Sequence, residues 1–157
     1  MWWGWCSRRS SNIIGQVFMN IFILDTCPIR AASYLCDKHV PKMLLEAAQM
    51  LSTVLRAAGA NHPALYRSSH AQHPCTLWTA ASRTNAEWLI THAQSIGHEW
   101  RIRYRHSRLH ASEPVLNVAA SMLDYLPASP LTPYALAMPE CYRGNDAVLL
   151  RREAKHC

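Results

Sequence analysis

Residues 36–55 read CDKHVPKMLLEAAQMLSTVL. Met43, Leu44, Ala47, Met50, Leu51, Val54 and Leu55 recur at helical spacing, which predicts an amphipathic helix with a continuous apolar stripe. Pro41 suits the first turn, where its missing N–H costs nothing, and Gly59 with Asn61-His62-Pro63 ends the pattern. The same stretch loads the helix start with Asp37, Lys38, His39, Lys42 and Glu46. His39, Lys42, Glu46 and Gln49 fall at i, i+3, i+7 and i+10, on one face bordering the apolar stripe. Polar groups there need partners or carry chemistry.

Upstream, Asn20-Ile21-Phe22-Ile23-Leu24 is rich in β-branched and aromatic residues and predicts one short N-terminal strand. Asp25 and Thr26 offer a cap, and Pro28 opens a short helix running to about Cys36. Downstream, residues 60–73 read as a loop carrying His62, His70 and His73. Pro74 then opens a long helical region reaching about Tyr104. Trp78, Ser82, Asn85, Leu89 and His92 form its heptad-like stripe, widened by Trp88, Ile96 and Trp100. Ser112 caps a last helix carrying Val115, Leu116, Val118, Ala119, Met122 and Leu126. Four prolines within residues 127–142 predict an ordered, irregular segment. The expected fold is mainly α, a compact single-domain helical bundle with that one short strand.

A chain of 157 residues suits one domain. Half of it is apolar and 17% charged, which excludes a disordered chain. The net charge of +6, with a pI near 9.2, favours an anionic partner, nucleic acid first. The six cysteines make no Cys-x-x-Cys pair and point to reduced thiols in the cytoplasm. Gln16 and Asn20 interrupt the apolar run at 13–24, which is too short to span a membrane. Residues 1–18 read as a leader before a functional start at Met19, residues 19–148 as the helical domain, and 149–157 as a charged tail. No phosphate-binding loop, dinucleotide fingerprint or hydrolase elbow occurs, and no cofactor is expected.

Three constellations carry the chemistry. Lys42 or Lys38 beside Glu46, tuned by Asp37 and His39, suits Schiff-base chemistry: a desolvated lysine exposes a free amine and the carboxylate moves protons. The plainer alternative is an i,i+4 ion pair of Lys42 with Glu46 and a cap by His39. Ser82, Asn85 and His92, between Trp78 and Leu89, form a polar seam that supports the first group or is a satisfied structural network, and His73 from the preceding loop is a further supporting residue. Arg101, Arg103, Arg105 and Arg108 with Tyr104 suit phosphate contacts and base stacking, or form a solvated basic helix end. The pairs Cys36-x-x-His39 and His70-x-x-His73 are a weak zinc signal; no metal is assigned, and a metal-dependent enzyme using His39, His70 and His73 is the minor alternative.

From Met19 onward the chain resembles a group of small phage and bacterial proteins. The shared pattern is Met19-Asn-Ile-Phe-Ile-Leu-Asp25, Cys36-Asp-Lys-His-Val40, Lys42-Met43, Glu46 and Ala48-Gln-Met-Leu51. It continues through His73-Pro-Cys-Thr-Leu-Trp78, Ser82, Asn85, Trp88-Leu89, Arg103-Tyr104 and Thr132-Pro-Tyr-Ala-Leu-Ala-Met-Pro139. More distantly it is similar to phage pyrimidine-dimer DNA glycosylases of the endonuclease V type. That resemblance implies a small, basic, helical enzyme that extrudes a damaged nucleotide, attacks the sugar C1′ with an amine and nicks the strand by β-elimination. Aromatics such as Trp78 or Trp100 would then line the gap. Those relatives use a processed N-terminal amine. Here Met19-Asn20 is a poor substrate for methionine removal and a leader precedes it, so the expected nucleophile passes to Lys42 or Lys38. The alternative class is a non-catalytic nucleic-acid-binding or host-interaction protein. Oligomeric state is not legible.

Overall fold

A computed structural model of the chain describes residues 20–135. The leader at 1–18, the end of the proline-rich segment, the domain end at 148 and the charged tail lie outside the described residues. Within them, five α-helices follow in order: α1 (Pro28–Ser33), α2 (Val40–Ala57), α3 (Pro74–Ala80), α4 (Arg83–Tyr104) and α5 (Glu113–Ala120). Two 3-10 turns, Asp37–His39 and Leu123–Tyr125, join and end them. The mainly α expectation holds.

α2 and α4 are the axis of the bundle. α2 packs on α3, α4 and α5, and α1 lies along α4. The apolar stripe of α2 is buried as its periodicity requires: Leu44, Met50, Leu51 and Leu55 have no exposed surface. They meet Leu89, Ile96 and Leu116 in one core.

The predicted strand does not form. Among the described residues there is no strand, so residues 20–24 have no edge to pair with. The segment is anchored instead by burial of Ile21 and by a side-chain acceptor on α2. The long helix expected from Pro74 breaks in two. Ser82 takes an extended conformation, φ −157° and ψ 142°, and its Oγ accepts the Thr84 N–H at 3.0 Å. A hydroxyl in the stripe thus serves as the N-cap of α4 rather than as an interior residue. α1 stops at Ser33 rather than near Cys36. The last helix ends at Ala120, and Leu126 follows a separate 3-10 turn. Ser112 and His39 stand at N-cap positions without side-chain cap bonds. Ser112 Oγ meets Tyr66 Oη at 3.3 Å instead.

The polar seam is buried and hydrogen-bonded. Asn85 is fully buried: its amide donates to Trp78 O at 2.6 Å and Thr132 Oγ1 at 2.7 Å, and its oxygen accepts Thr132 N–H at 2.9 Å. Trp88 Nε1 donates to Thr26 O at 2.9 Å, and His92 Nδ1 to Pro28 O at 2.9 Å, pinning the start of α1 to α4. A carbonyl only accepts, so His92 carries its proton on Nδ1. Burial holds the His92 imidazole below its usual range, against the opposing pull of the Pro28 carbonyl.

Candidate active site

Glu46 is the centre of the site. The helical period puts it among α2's buried residues, and it is only 3% exposed. A buried carboxylate is costly unless it is paired and hydrogen-bonded. Two nitrogens approach it. The backbone N–H of Asn20 donates to Oε2 at 2.9 Å. Lys42 Nζ, one turn earlier on α2, lies 3.5 Å from Oε1 on a half-exposed side chain. Oε1 accepts no hydrogen bond. One oxygen is therefore held by the main chain, and the other is buried facing Lys42.

Side chains from three elements pack near the start of α2 or against Asn20. From the extended segment, Phe22 stacks on His39 with ring centroids 4.9 Å apart. From the 3-10 turn, Cys36 Sγ sits 3.2 Å from His39 Nδ1. From α3, Cys75 Sγ reaches Asn20 Oδ1 at 3.7 Å, and the Cys75 backbone N–H donates to His73 Nδ1 at 3.2 Å. Burial pushes the Cys75 thiol up to about 11, and the nearby Glu46 charge adds to this. The Cys75 thiol is therefore the donor in its contact with Asn20 Oδ1. Burial and the neighbouring His70 hold the His73 imidazole below its usual range, and Glu46 pulls the other way.

The remaining sequence-predicted residues separate by role. Lys38 is exposed and makes no ion pair with Glu46. Asp37, 77% exposed, pairs outward with Arg103 at 3.1 Å. Arg103 acts as a clasp between α4 and the segment leading into α2. Its guanidinium holds Glu99 Oε2 at 2.8 Å, Asp37 Oδ1, Ser33 O at 2.7 Å, and Leu35 O. Tyr104 Oη donates to Asp37 O at 2.7 Å. Arg101 is taken up by Glu113, at 2.6 Å to Oε2 and 2.7 Å to Oε1. Of the arginine run, Arg105 and Arg108 are exposed and their side chains make no ion pair among the described residues; Arg105 ends α4 in the left-handed conformation at φ 54°. Trp78 and Trp100 are 6% and 8% exposed and belong to the core.

His39, His70 and His73 do not gather: among the described residues no three His, Cys, Asp or Glu side chains converge as metal ligands. Asn20, Phe22 and Cys75 were given no role by the sequence. A backbone N–H has no residue-type signature, so only the recurrence of Met19-Asn20 and His73-Pro74-Cys75 in the resembling group marked them.

In this basic helical domain, then, a buried carboxylate has a nitrogen near each of its two oxygens. The chain belongs to the pyrimidine dimer DNA glycosylase family, whose sequence model matches residues 19–112, more than half of its 157 residues. The match spans every contact to Glu46 described above. It gives the chain a DNA-repair, glycosylase-like role and DNA as its partner. No curated protein and no solved structure matches the chain. Among the described residues no helix is long and apolar enough to cross a membrane.

Proposed function

We propose that this protein is a DNA glycosylase/AP lyase that works through an amine held against Glu46. The observation that carries the reading is the 2.9 Å contact between Asn20 N and the buried Glu46 Oε2. In a chain trimmed to begin at Asn20, that nitrogen is an α-amine already seated on its base. An α-amine has an ordinary pKa of about 7.7–8.0 against about 10.4 for lysine, so far more of it is free at neutral pH. In a longer chain the same nitrogen is a peptide amide with no nucleophilicity. Lys42, 3.5 Å from the other Glu46 oxygen, is then the amine in reach, with Lys38 on the adjoining turn behind it.

The amine attacks C1′ of the damaged nucleotide while Glu46 takes its proton. The C1′–N bond breaks and its electron pair leaves with the pyrimidine, which takes up a proton. Opening of the C1′–O4′ bond, with a proton to O4′, leaves an iminium ion. Loss of a C2′ proton then expels the 3′ phosphate by β-elimination. A positioned carboxylate serves these proton transfers. Arg105 and Arg108 hold the strand, since Arg101 and Arg103 are committed to intramolecular partners. Extruding the nucleotide costs a few kcal/mol, least at damaged sites.

The test is borohydride reduction in the presence of DNA bearing a pyrimidine dimer or an abasic site. Both the full chain and a chain started at Met19 are expected to give a covalent crosslink, lost in Glu46→Gln. A protein that binds the DNA yet never crosslinks, and binds equally well as Glu46→Gln, is the non-catalytic alternative.

A further inference from the structure

His73 occupies the N-cap of α3, with φ −68° and ψ 138°, and its Nδ1 accepts the Cys75 N–H. Histidine is an unusual choice there, because Ser, Thr, Asp and Asn make the same bond at less cost. The cap bond also decides the tautomer. With Nδ1 accepting, the neutral ring must carry its proton on Nε2. No group in the described structure accepts from Nε2, and the ring is only half-buried. Its surroundings are those of the Glu46 site: Cys75 joins it to Asn20, and Asn20 to Glu46.

We propose that His73 is a positioning residue of this site, whose capped imidazole presents a neutral Nε2–H donor to a backbone phosphate oxygen of the DNA strand. The proposal rests on the reading of Glu46 as the catalytic centre. The groups facing the ring support a neutral donor. Burial and His70, from the preceding loop, disfavour the imidazolium, and Glu46 from α2 offsets them only in part. Protonating Nδ1 would also break the cap, so the cap and the neutral state enforce each other.

The test uses a duplex carrying a tetrahydrofuran abasic analogue, which binds but cannot form a Schiff base, with affinity read by fluorescence anisotropy over a salt series. His73→Ser keeps a favoured cap and removes the ring. It should melt with the wild type, bind the analogue about tenfold more weakly for the lost charge-assisted hydrogen bond, and leave the salt slope unchanged because no cation is lost. Wild-type affinity in His73→Ser would mean that the ring is only a cap and would overturn the proposal. A salt slope shallower by about one would make His73 a cation and overturn it too. Should His73→Ser fail to fold, His73→Asn is read in the same way, and collapse of both overturns the capping geometry itself. A wild type that binds but never crosslinks sinks the lyase reading alone, and His73 is still scored by affinity. A wild type that does not bind the analogue overturns both.

Discussion

Arg103→Lys separates a clasp from a phosphate contact, because lysine keeps the charge and loses the fork. Arg103 makes two bonds to carboxylates, Glu99 and Asp37, and two to backbone carbonyls, Ser33 and Leu35. The carboxylate pairs lie near the surface and are worth about 0.3–0.5 kcal/mol each. The carbonyl bonds are charge-assisted, and with a side chain 20% exposed they contribute about 1 kcal/mol each. Arg103→Gln should therefore cost about 2–3 kcal/mol, or roughly 4–12 °C in melting temperature for a chain of this size. Lysine offers a single nitrogen in place of the fork that reaches both carbonyls, so Arg103→Lys should recover less than half of that loss. Thermal unfolding by circular dichroism checks the size, and DNA affinity over a salt series checks the role. The clasp predicts a lowered melting temperature in Arg103→Lys with an unchanged salt slope. Full stability in both variants, with weakened DNA binding in Arg103→Gln alone, would refute it.

Glu46→Gln keeps an acceptor for Asn20 N–H and removes the buried charge. It should hold stability within about 1 kcal/mol while lowering strand cleavage about 100-fold or more, measured by gel assay. Asn85→Ala strands the Thr132 N–H and hydroxyl, while Trp78 O keeps its bond from Ala81 N, so denaturant titration should show a loss of about 2–4 kcal/mol. Gly97→Ala gains helix propensity of about 1 kcal/mol but sets a Cβ 2.8 Å from Glu113 Cδ, which Arg101 and the His110 N–H hold in place. A net lowering of the melting temperature is expected, reversed when Glu113→Ala is added. The buried His92 is depressed relative to its unfolded value of 6.5. Its contribution is therefore present above pH 6.5 and lost as pH falls through the folded value, and the acid slope of unfolding free energy should flatten in His92→Gln.

The helices were legible because periodicity is a property of residue types. The stripe from Met43 to Leu55 predicted α2 and its buried face, and Pro28, Pro41 and Pro74 each lie in the first turn of a helix. The break at Ser82 was hidden because a serine at a core position reads equally as seam or cap, and only its extended backbone distinguishes them. Residues 20–24 had strand composition but no partner, and pairing cannot be read from one segment. Within the site, Lys42 and Glu46 were visible through their i,i+4 spacing. Asn20 was not, since its contribution is a main-chain nitrogen brought across 26 positions. Arg101 and Arg103 show the converse: their charge was evident, but apart from Glu99, an i,i+4 neighbour of Arg103, their partners Glu113, Asp37 and two carbonyls are tertiary.

The central claim is that a nitrogen on Glu46 becomes bonded to the sugar, and mapping the reduced crosslink tests it most directly. After borohydride trapping on abasic DNA, nuclease and protease digestion followed by peptide mass spectrometry locates the deoxyribose remnant. The expected site is the Asn20 α-amine in a chain trimmed to that residue, and Lys42 in a longer one. A remnant on a lysine remote from Glu46, or a crosslink formed equally well by Glu46→Gln, would contradict the account.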